Sequence, residues 1–560
     1  MTDSRLILDH VYEHEAAQSE RVFLTQPLGG GRVADYTWAQ TLDQARRMAA
    51  HLKSLDLAPD ARIAMLAKNS AHFFIAELAI WIAGGTTVAI FPTETADNVR
   101  YVLQHSEASL LFVGKLDGWA QQRGAVPAGL RCIALPLAPE CDGEPWDDIV
   151  ARTAPLQGRP ARAADDLAML LYTSGSTGQP KGVMQSFRSI TAVANGILAD
   201  QMARDGGVKH DARVLSYLPL AHCFERAWVE CCAFVHGRTR VYFSESLASF
   251  QADLQRARPT WFISVPRLWT KFQQAVLARM PAAQLDAALA NPATAAAVGK
   301  KVLAGLGLGE VVRAGSGSAP LPPELLRWYR RLGLDLHEGY AMTEDFAYSH
   351  TGDAGEASVG TVGRPFADVQ ARIADDGEVL IKSPGRMSGY YKMPQLNAES
   401  FTDDGFFRTG DLGHYDAQGR LVLTGRKKEL FKTAKGKYVA PAPIENRLNE
   451  HPMVELSLVS GPGQRAAYAV LVLDENLRPT LGDPVVRGRV ETELAGLLNA
   501  VNEALASHER LQMLVVAREP WSMEAGTLTP TMKIKRARIE AEVAHAVEGW
   551  YRSAAAVVWA

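Results

Sequence analysis

Cysteine is scarce. Five residues (Cys132, Cys141, Cys223, Cys231 and Cys232) in 560 are an odd number and too few for a disulfide framework. A reducing compartment is the simpler home, and a cytoplasmic location is expected. Long apolar runs are missing too: none reaches the roughly 18 residues of a spanning helix. Hydrophobic residues nevertheless make up 47% of the chain, enough to build several cores. The start, Met1-Thr2-Asp3-Ser4-Arg5, has no basic segment leading into an apolar one, so no secretory signal is expected. Neither sign of charge dominates: 59 Lys and Arg against 62 Asp and Glu give −3, which argues against a general nucleic-acid binder. There is no repeat of fixed period. The Ala-rich stretch 282–297 reads as packing helix broken near Pro292.

Strand and helix signals alternate along most of the chain. Leu42, Ala45, Met48, Ala49 and Leu52 fall at helical spacing within 38–54, followed by the strand-like Arg62–Leu66, a helical 71–83 and the apolar run Thr87–Phe91. Further strands are expected at 109–113, 131–135, 167–172, 213–218, 239–243, 261–265, 311–314 and 334–337. This alternation predicts an α/β fold with a largely parallel sheet. From about 355, short segments separated by Gly, Asp and Pro predict hairpins. A basic stretch, Gly425-Arg426-Lys427-Lys428, precedes a new α+β pattern, and the domain boundary is placed there.

The richest chemistry lies in Leu171-Tyr172-Thr173-Ser174-Gly175-Ser176-Thr177-Gly178-Gln179-Pro180-Lys181-Gly182-Val183. Hydroxyls, glycine-freed backbone N–H groups and one lysine, set immediately after a strand, make a cradle for polyphosphate oxygens. The spacing is not that of a Walker loop, and a solvated Ser/Gly turn explains so long a stretch poorly. The segment resembles the phosphate loop of the adenylate-forming superfamily, which includes acyl-CoA synthetases, peptide-synthetase adenylation domains and luciferases.

Further segments resemble that family's motifs in order. Ser216-Tyr217-Leu218-Pro219-Leu220-Ala221-His222-Cys223-Phe224-Glu225-Arg226 is similar to the acyl-site motif of the long-chain fatty acyl-CoA synthetase branch, and Pro259-Thr260 with Val265–Trp269 to another of its segments. Gly315-Ser316-Gly317-Ser318-Ala319-Pro320 resembles the loop over adenine. Glu338-Gly339-Tyr340-Ala341-Met342-Thr343-Glu344 resembles the adenine and metal motif, Thr409-Gly410-Asp411 the ribose motif, and Thr424–Glu429 the hinge. Lys435–Val439 resembles the glycine loop near the CoA thiol, and Leu528–Arg536 the terminal lysine motif, with Lys533 aligning better than Lys535. The resemblance covers roughly residues 30 to 540.

The resemblance implies a large N-terminal domain, 1–425, of mixed sheets flanked by helices with a small β-barrel-like subdomain. A small mobile α+β domain, 426–560, would carry the lysine. It implies a fatty acid–CoA ligase using ATP, Mg²⁺ and CoA, with a carrier-protein phosphopantetheine as the alternative acceptor. Lys533, Glu344, Thr343 and His222 are the expected catalytic residues, His222 at the acyl carboxylate. Thr173, Ser174, Gly175, Ser176, Thr177, Gly178 and Lys181 would hold phosphates. Gly317, Ser318, Ala319, Pro320, Gly339 and Tyr340 would hold adenine, with the tyrosine stacked on the purine. Asp411 and Arg426 would hold ribose or phosphate oxygens, Gly436 would face CoA, and Lys428 would serve the hinge. Glu344 is the expected metal ligand, since one carboxylate beside triphosphate suits a hard cation that keeps several waters. A degenerate nucleotide-binding regulator is disfavoured by retained Lys181, Glu344, Asp411 and Lys533.

Two departures from the family pattern bear on the acyl pocket: Ala341 where glycine is usual, and Gln185-Ser186-Phe187 where many relatives carry Thr-His. Cys231-Cys232 lacks zinc-site spacing and reads as buried small hydrophobes on a helix. Gly305, Gly307 and Gly309 read as loop glycines. The tail from Trp550 to Trp559 is expected to pack as a last helix or to fray, with peripheral contact at a membrane surface as the rival.

Overall fold

The computed structural model describes residues 5–174, 179–204 and 211–560. By packing, the chain divides into two units, one of Met1–Ala371 with Ile381–Phe407, the other of Arg372–Leu380 with Arg408–Ala560.

The first unit holds three sheets. The largest has eight strands. Its parallel body is Leu167–Ser174, Thr86–Ile90, Arg62–Leu66, Leu110–Val113, Arg131–Ala134 and Glu144–Pro145. Pro180–Ser186 and then Gly389–Tyr390 add antiparallel at one edge. Parallel strands need covered faces, and helix Ala71–Ala83 supplies part of the cover: nearly every side chain is buried, Ser70 caps its N-terminus and Gly84, at φ 96°, ends it. Helix Trp38–Lys53 starts in a Thr37/Gln40 capping box and buries Leu42, Ala45, Met48, Ala49 and Leu52, the stripe expected from spacing.

A second sheet joins Ala212–Ser216, Thr239–Phe243, Val22–Pro27 and Val33–Thr37. A third runs Trp261–Ser264, Arg313–Ser316 and Leu336–Tyr340 in parallel, with His350–Thr351 and Arg364–Pro365 antiparallel beyond them. The Ala-rich stretch forms Ala282–Ala290 and Ala295–Gly305, interrupted around Pro292 as expected.

The second unit contains most of a sheet of Gln370–Ile373, Glu378–Lys382, Phe407–Tyr415 and Leu421–Arg426, and all of another of Val454–Ser460, Ala467–Leu473, Leu511–Val516 and Val557–Trp559. Helices Pro441–Asn449 and Pro484–Glu503 pack on the latter through Ile444, Leu448, Val490, Leu494 and Leu498. The tail folds onto this unit: Trp550 is buried, Val557–Trp559 extends the sheet in parallel, and Trp559 Nε1 donates to Glu491 at 2.6 Å.

All five cysteines are free, and Cys231 and Cys232 are buried on the helical segment after His222. That segment widens to a π turn over Arg226–Cys231. Arg226 is wholly buried there with Glu77 and Glu230, paired to both. Nothing in the local sequence marks Glu77 as buried; it enters the core because its helix is apolar on every side. No helix among the described residues is long and apolar enough to cross a membrane.

Candidate active site

In the first unit the candidate residues gather at the carboxyl ends of parallel strands, the usual ligand edge of such sheets. Strand Leu167–Ser174 turns back into Pro180–Ser186, and the register sets Thr173 opposite Lys181. The hydroxyl and the ammonium of the phosphate motif therefore flank one hairpin mouth. Gly175, Ser176, Thr177 and Gly178 lie outside the described residues, as does the side chain of Ser174. Lys181 Nζ stands 5.4 Å from the centroid of the Tyr390 ring, within cation–π range.

Thr343 and Glu344 occupy a single 3₁₀ turn, Thr343–Asp345. Asp345 braces it by accepting from the Met342 and Tyr348 N–H groups at 2.9 and 3.3 Å, and Phe346 and Ala347 both take positive φ. Burial pushes the Asp345 carboxyl up to about 7. Gln185, wholly buried, donates through Nε2 to the Thr343 carbonyl at 3.1 Å while its Oε1 accepts from Ser189 at 2.8 Å. The residue that departs from the family pattern thus supports the turn that carries Thr343 and Glu344. Glu344 Oε1 accepts the Tyr390 hydroxyl at 2.7 Å.

His222 caps the helical segment it begins: its Nδ1 accepts the Phe224 N–H at 3.2 Å, so the neutral imidazole carries its proton on Nε2. Thr343 Oγ1 lies 3.5 Å from Cys223 Sγ, which brings the acyl motif against the metal motif. Gly317 packs near Phe224, whose Cζ would lie 3.5 Å from an added Cβ. Ser318 holds φ 68°, and Ala319 and Pro320 are exposed. Gly339 and Tyr340 end the neighbouring strand, the tyrosine ring tilted 5.9 Å from His350.

The loop of residues 317–320 is tied to that strand by Glu338, whose Oε1 accepts the Leu321 N–H at 2.9 Å. Burial pushes its carboxyl up to about 8, an effect the Leu321 N–H only partly offsets. A raised folded-state pKa contributes stability that is complete below the ordinary carboxylate range and is lost as pH rises through the folded value. Glu338→Gln should therefore gain on the parent's thermal midpoint as pH rises from about 5.5 to about 8.5. A gap that does not change between the two pH values would refute the buried, protonated carboxyl.

The second unit places Asp411 and Arg426 as cross-strand partners, with Arg426 Nε donating to Asp411 Oδ1 at 2.7 Å. Asp411 is buried. Its backbone N–H donates to Thr409 Oγ1 at 3.0 Å, and the Thr409 hydroxyl donates in turn to the Val379 carbonyl at 2.7 Å. Lys428 follows within the 3₁₀ turn Lys427–Glu429. Gly436 sits at φ 76° in an exposed hairpin closed between Thr433 and Lys437.

Lys533 is exposed on a loop whose base pairs Leu528 with Ile534. Its N–H donates to Thr529 Oγ1 at 3.0 Å, and its carbonyl accepts the Thr529 N–H at 2.8 Å. Three residues on, Arg536 Nη2 grips both oxygens of Glu445 at 2.7 and 2.9 Å, and Nη1 donates to the Val459 carbonyl at 2.8 Å. With one nitrogen shared between the carboxylate oxygens and the other on a backbone carbonyl, Arg536 ties the loop to two elements at once. Lys535 instead donates its N–H to the Thr527 carbonyl at the loop base.

Among the described residues no group of three His, Cys, Asp or Glu side chains converges as a metal cage. A carboxylate with one protein donor, such as Glu344, fits a cation that keeps water and phosphate as its other ligands. Tyr390, Gln185, Glu338 and the Arg536–Glu445 pair had no assigned role in the sequence. Glu338 and Arg536 stood inside quoted motifs and Gln185 at a noted departure, whereas Tyr390 becomes visible only through strand register and packing.

The family model for the AMP-binding enzyme matches residues 11–391, and that for the AMP-binding enzyme C-terminal domain matches 429–555. The chain is 32% identical to the long-chain-fatty-acid–CoA ligase FadD15 of Mycobacterium bovis, over 97% of this chain and 96% of that protein. It is 31% identical to FadD15 of Mycobacterium tuberculosis over the same shares. Among solved structures it is similar to the A domain of carboxylic acid reductase from Segniliparus rugosus in complex with AMP and a co-purified carboxylic acid. The TM-score is 0.81 at 23% identity, covering 99% of this chain and 95% of that one, and at this identity the likeness speaks for the fold. With both of its family models matched in order and its relatives aligned nearly end to end, this chain belongs to the AMP-binding enzyme family and is an adenylate-forming ligase.

Proposed function

We propose that the chain is a fatty acid–CoA ligase. In the first half-reaction a carboxylate oxygen of the fatty acid attacks the α-phosphorus of ATP and the bond to pyrophosphate breaks, leaving acyl-adenylate. In the second, the CoA sulfur attacks the acyl carbon, AMP departs with the electrons of the broken C–O bond, and the thiol proton passes to solvent. The observation that supports this reading best is the convergence in one unit of the Thr173/Lys181 hairpin, the Glu344 turn and His222, the groups that phosphate and carboxylate chemistry demand.

The first half-reaction drives an anion against a polyanion, so charge and alignment dominate its barrier. Thr173 and Lys181 donate to phosphate oxygens, His222 directs its Nε2–H at the acyl carboxylate, and Thr343 contacts the α-phosphate. Residues 317–320 and Tyr340 hold the adenine, and Asp411 accepts the ribose hydroxyls with Arg426 fixing its orientation. Glu344 would hold Mg²⁺, which supplies neutralisation of phosphate charge when bound. Lys533 adds a cation where charge develops. Holding both reactants in line contributes up to about 7–11 kcal/mol of an otherwise bimolecular barrier.

For the second half-reaction, residues 426–560 turn about Lys428 relative to 1–425, withdrawing Lys533 and presenting Gly436 to CoA. Hinge closures of this kind absorb their motion in a few residues. The relatives' names, together with the match to both family models, support the fatty acid and CoA assignments. Phosphopantetheine on a carrier protein presents the same thiol and is the second reading.

A pyrophosphate-exchange panel from acetate to oleate, with aromatic acids included, tests the proposal. Exchange is expected to be strongest with medium or long aliphatic acids, and mass spectrometry should find the acyl-CoA. Thioester on a carrier but never on CoA would favour the second reading. No AMP from any acid would end both.

A further inference from the structure

The segment Met387–Tyr391 belongs to none of the motifs above, yet it stitches together the two elements that carry Lys181 and Glu344. The Met387 N–H donates to the Glu344 carbonyl at 2.8 Å, Ser388 N–H to the Met184 carbonyl at 2.9 Å, and Tyr391 N–H to the Gly182 carbonyl at 2.8 Å. Between them Tyr390 pairs with Val183, so its strand lies directly beside the one that leaves the phosphate hairpin. Asn397 clamps the Tyr390 backbone from both sides, accepting its N–H at 2.6 Å and donating to its carbonyl at 3.0 Å. The residue is only 6% exposed. Its hydroxyl donates to Glu344 Oε1 at 2.7 Å, while Lys181 Nζ stands 5.4 Å from the ring centroid. One rigid aromatic group therefore touches both an acid and a base of the candidate site through different faces.

We propose that Tyr390 is a positioning residue for adenylation: its hydroxyl fixes the orientation of the Glu344 carboxylate, and its ring fixes the approach of the Lys181 ammonium. The physical basis is economy of freedom. A glutamate and a lysine each have several rotatable bonds and would otherwise sample many separations. A ring with two torsions, locked by its own strand, holds both at a set distance, as a site for a charged ligand requires. The inference rests on the reading of Glu344 and Lys181 as the metal-side and phosphate-side groups.

The test is calorimetric binding of a non-hydrolysable ATP analogue to the full chain, with and without Mg²⁺, so that it does not depend on turnover. Tyr390→Phe keeps the ring and removes one charge-assisted hydrogen bond. It should weaken binding about tenfold with Mg²⁺ and leave Mg²⁺-free binding unchanged. Tyr390→Leu, which also removes the ring, should weaken binding in both conditions. Glu344→Gln should lose the Mg²⁺-dependent part, and adding Tyr390→Phe to it should cost nothing more.

Tyr390→Phe binding like the parent, or weakening equally with and without Mg²⁺, would overturn the proposal. So would a Tyr390→Phe effect that persists in the Glu344→Gln background. If Glu344→Gln alone leaves Mg²⁺-dependent binding intact, the assignment of Glu344 has failed first, and the two failures are told apart by that single variant.

Discussion

Lys533→Ala should lower acyl-dependent pyrophosphate exchange by about 10²–10³-fold, the usual cost of removing one preorganised charge stabiliser. Thioester formation from supplied acyl-adenylate should be largely spared. The side chain is exposed on its loop, so truncating it disturbs no buried core and the fold should survive. The loop backbone is held independently of the ammonium, by the Thr529 hydroxyl and by the grip of Arg536 on Glu445. The loss therefore reports the charge and not its support. Lys535→Ala, two residues away, is the control and should leave exchange near the parent rate. Equal damage to both half-reactions by Lys533→Ala would contradict its assignment to the first.

Gly436→Leu should give the opposite pattern, with thioester formation blocked and pyrophosphate exchange retained. Gly436 holds φ 76°, where a side chain is strained by about 1–2 kcal/mol. An added Cβ would nevertheless have no neighbour nearer than Lys432 Cε at 3.7 Å. The hairpin can therefore accept the side chain at modest cost, and the expected damage comes from bulk where the thiol must approach. Separate measurement of exchange and of acyl-CoA formation decides the matter; loss of exchange would reject the role given to this hairpin.

The two variants together separate the chemical roles of the second unit from its stability. Arg536 and Glu445 connect the loop of Lys533 to helix Pro441–Asn449, which begins just after the hairpin of Gly436. Both functional loops are thus anchored to one helix, and an independent loss in each half-reaction would show that they act in turn from a common support.

Local composition was enough to determine the alternating α/β pattern, the break in the Ala-rich helix, the apolar stripe of Trp38–Lys53 and the hydroxyl-rich turn before Lys181. These follow from backbone preference and from periods of two and 3.6 residues, which act over a few positions. Asp411 and Arg426 come forward as nucleotide-binding candidates through resemblance to the family's motifs and not through composition. What tertiary structure alone decided are partnerships between distant segments: Gln185 beneath Thr343, Tyr390 against Glu344, Glu338 holding Leu321, and Glu77 buried with Arg226. Each depends on the register of a strand or on which helix face meets a core. A one-residue shift in register would point Tyr390 to the other face of its sheet, and no stretch of sequence around it records that choice.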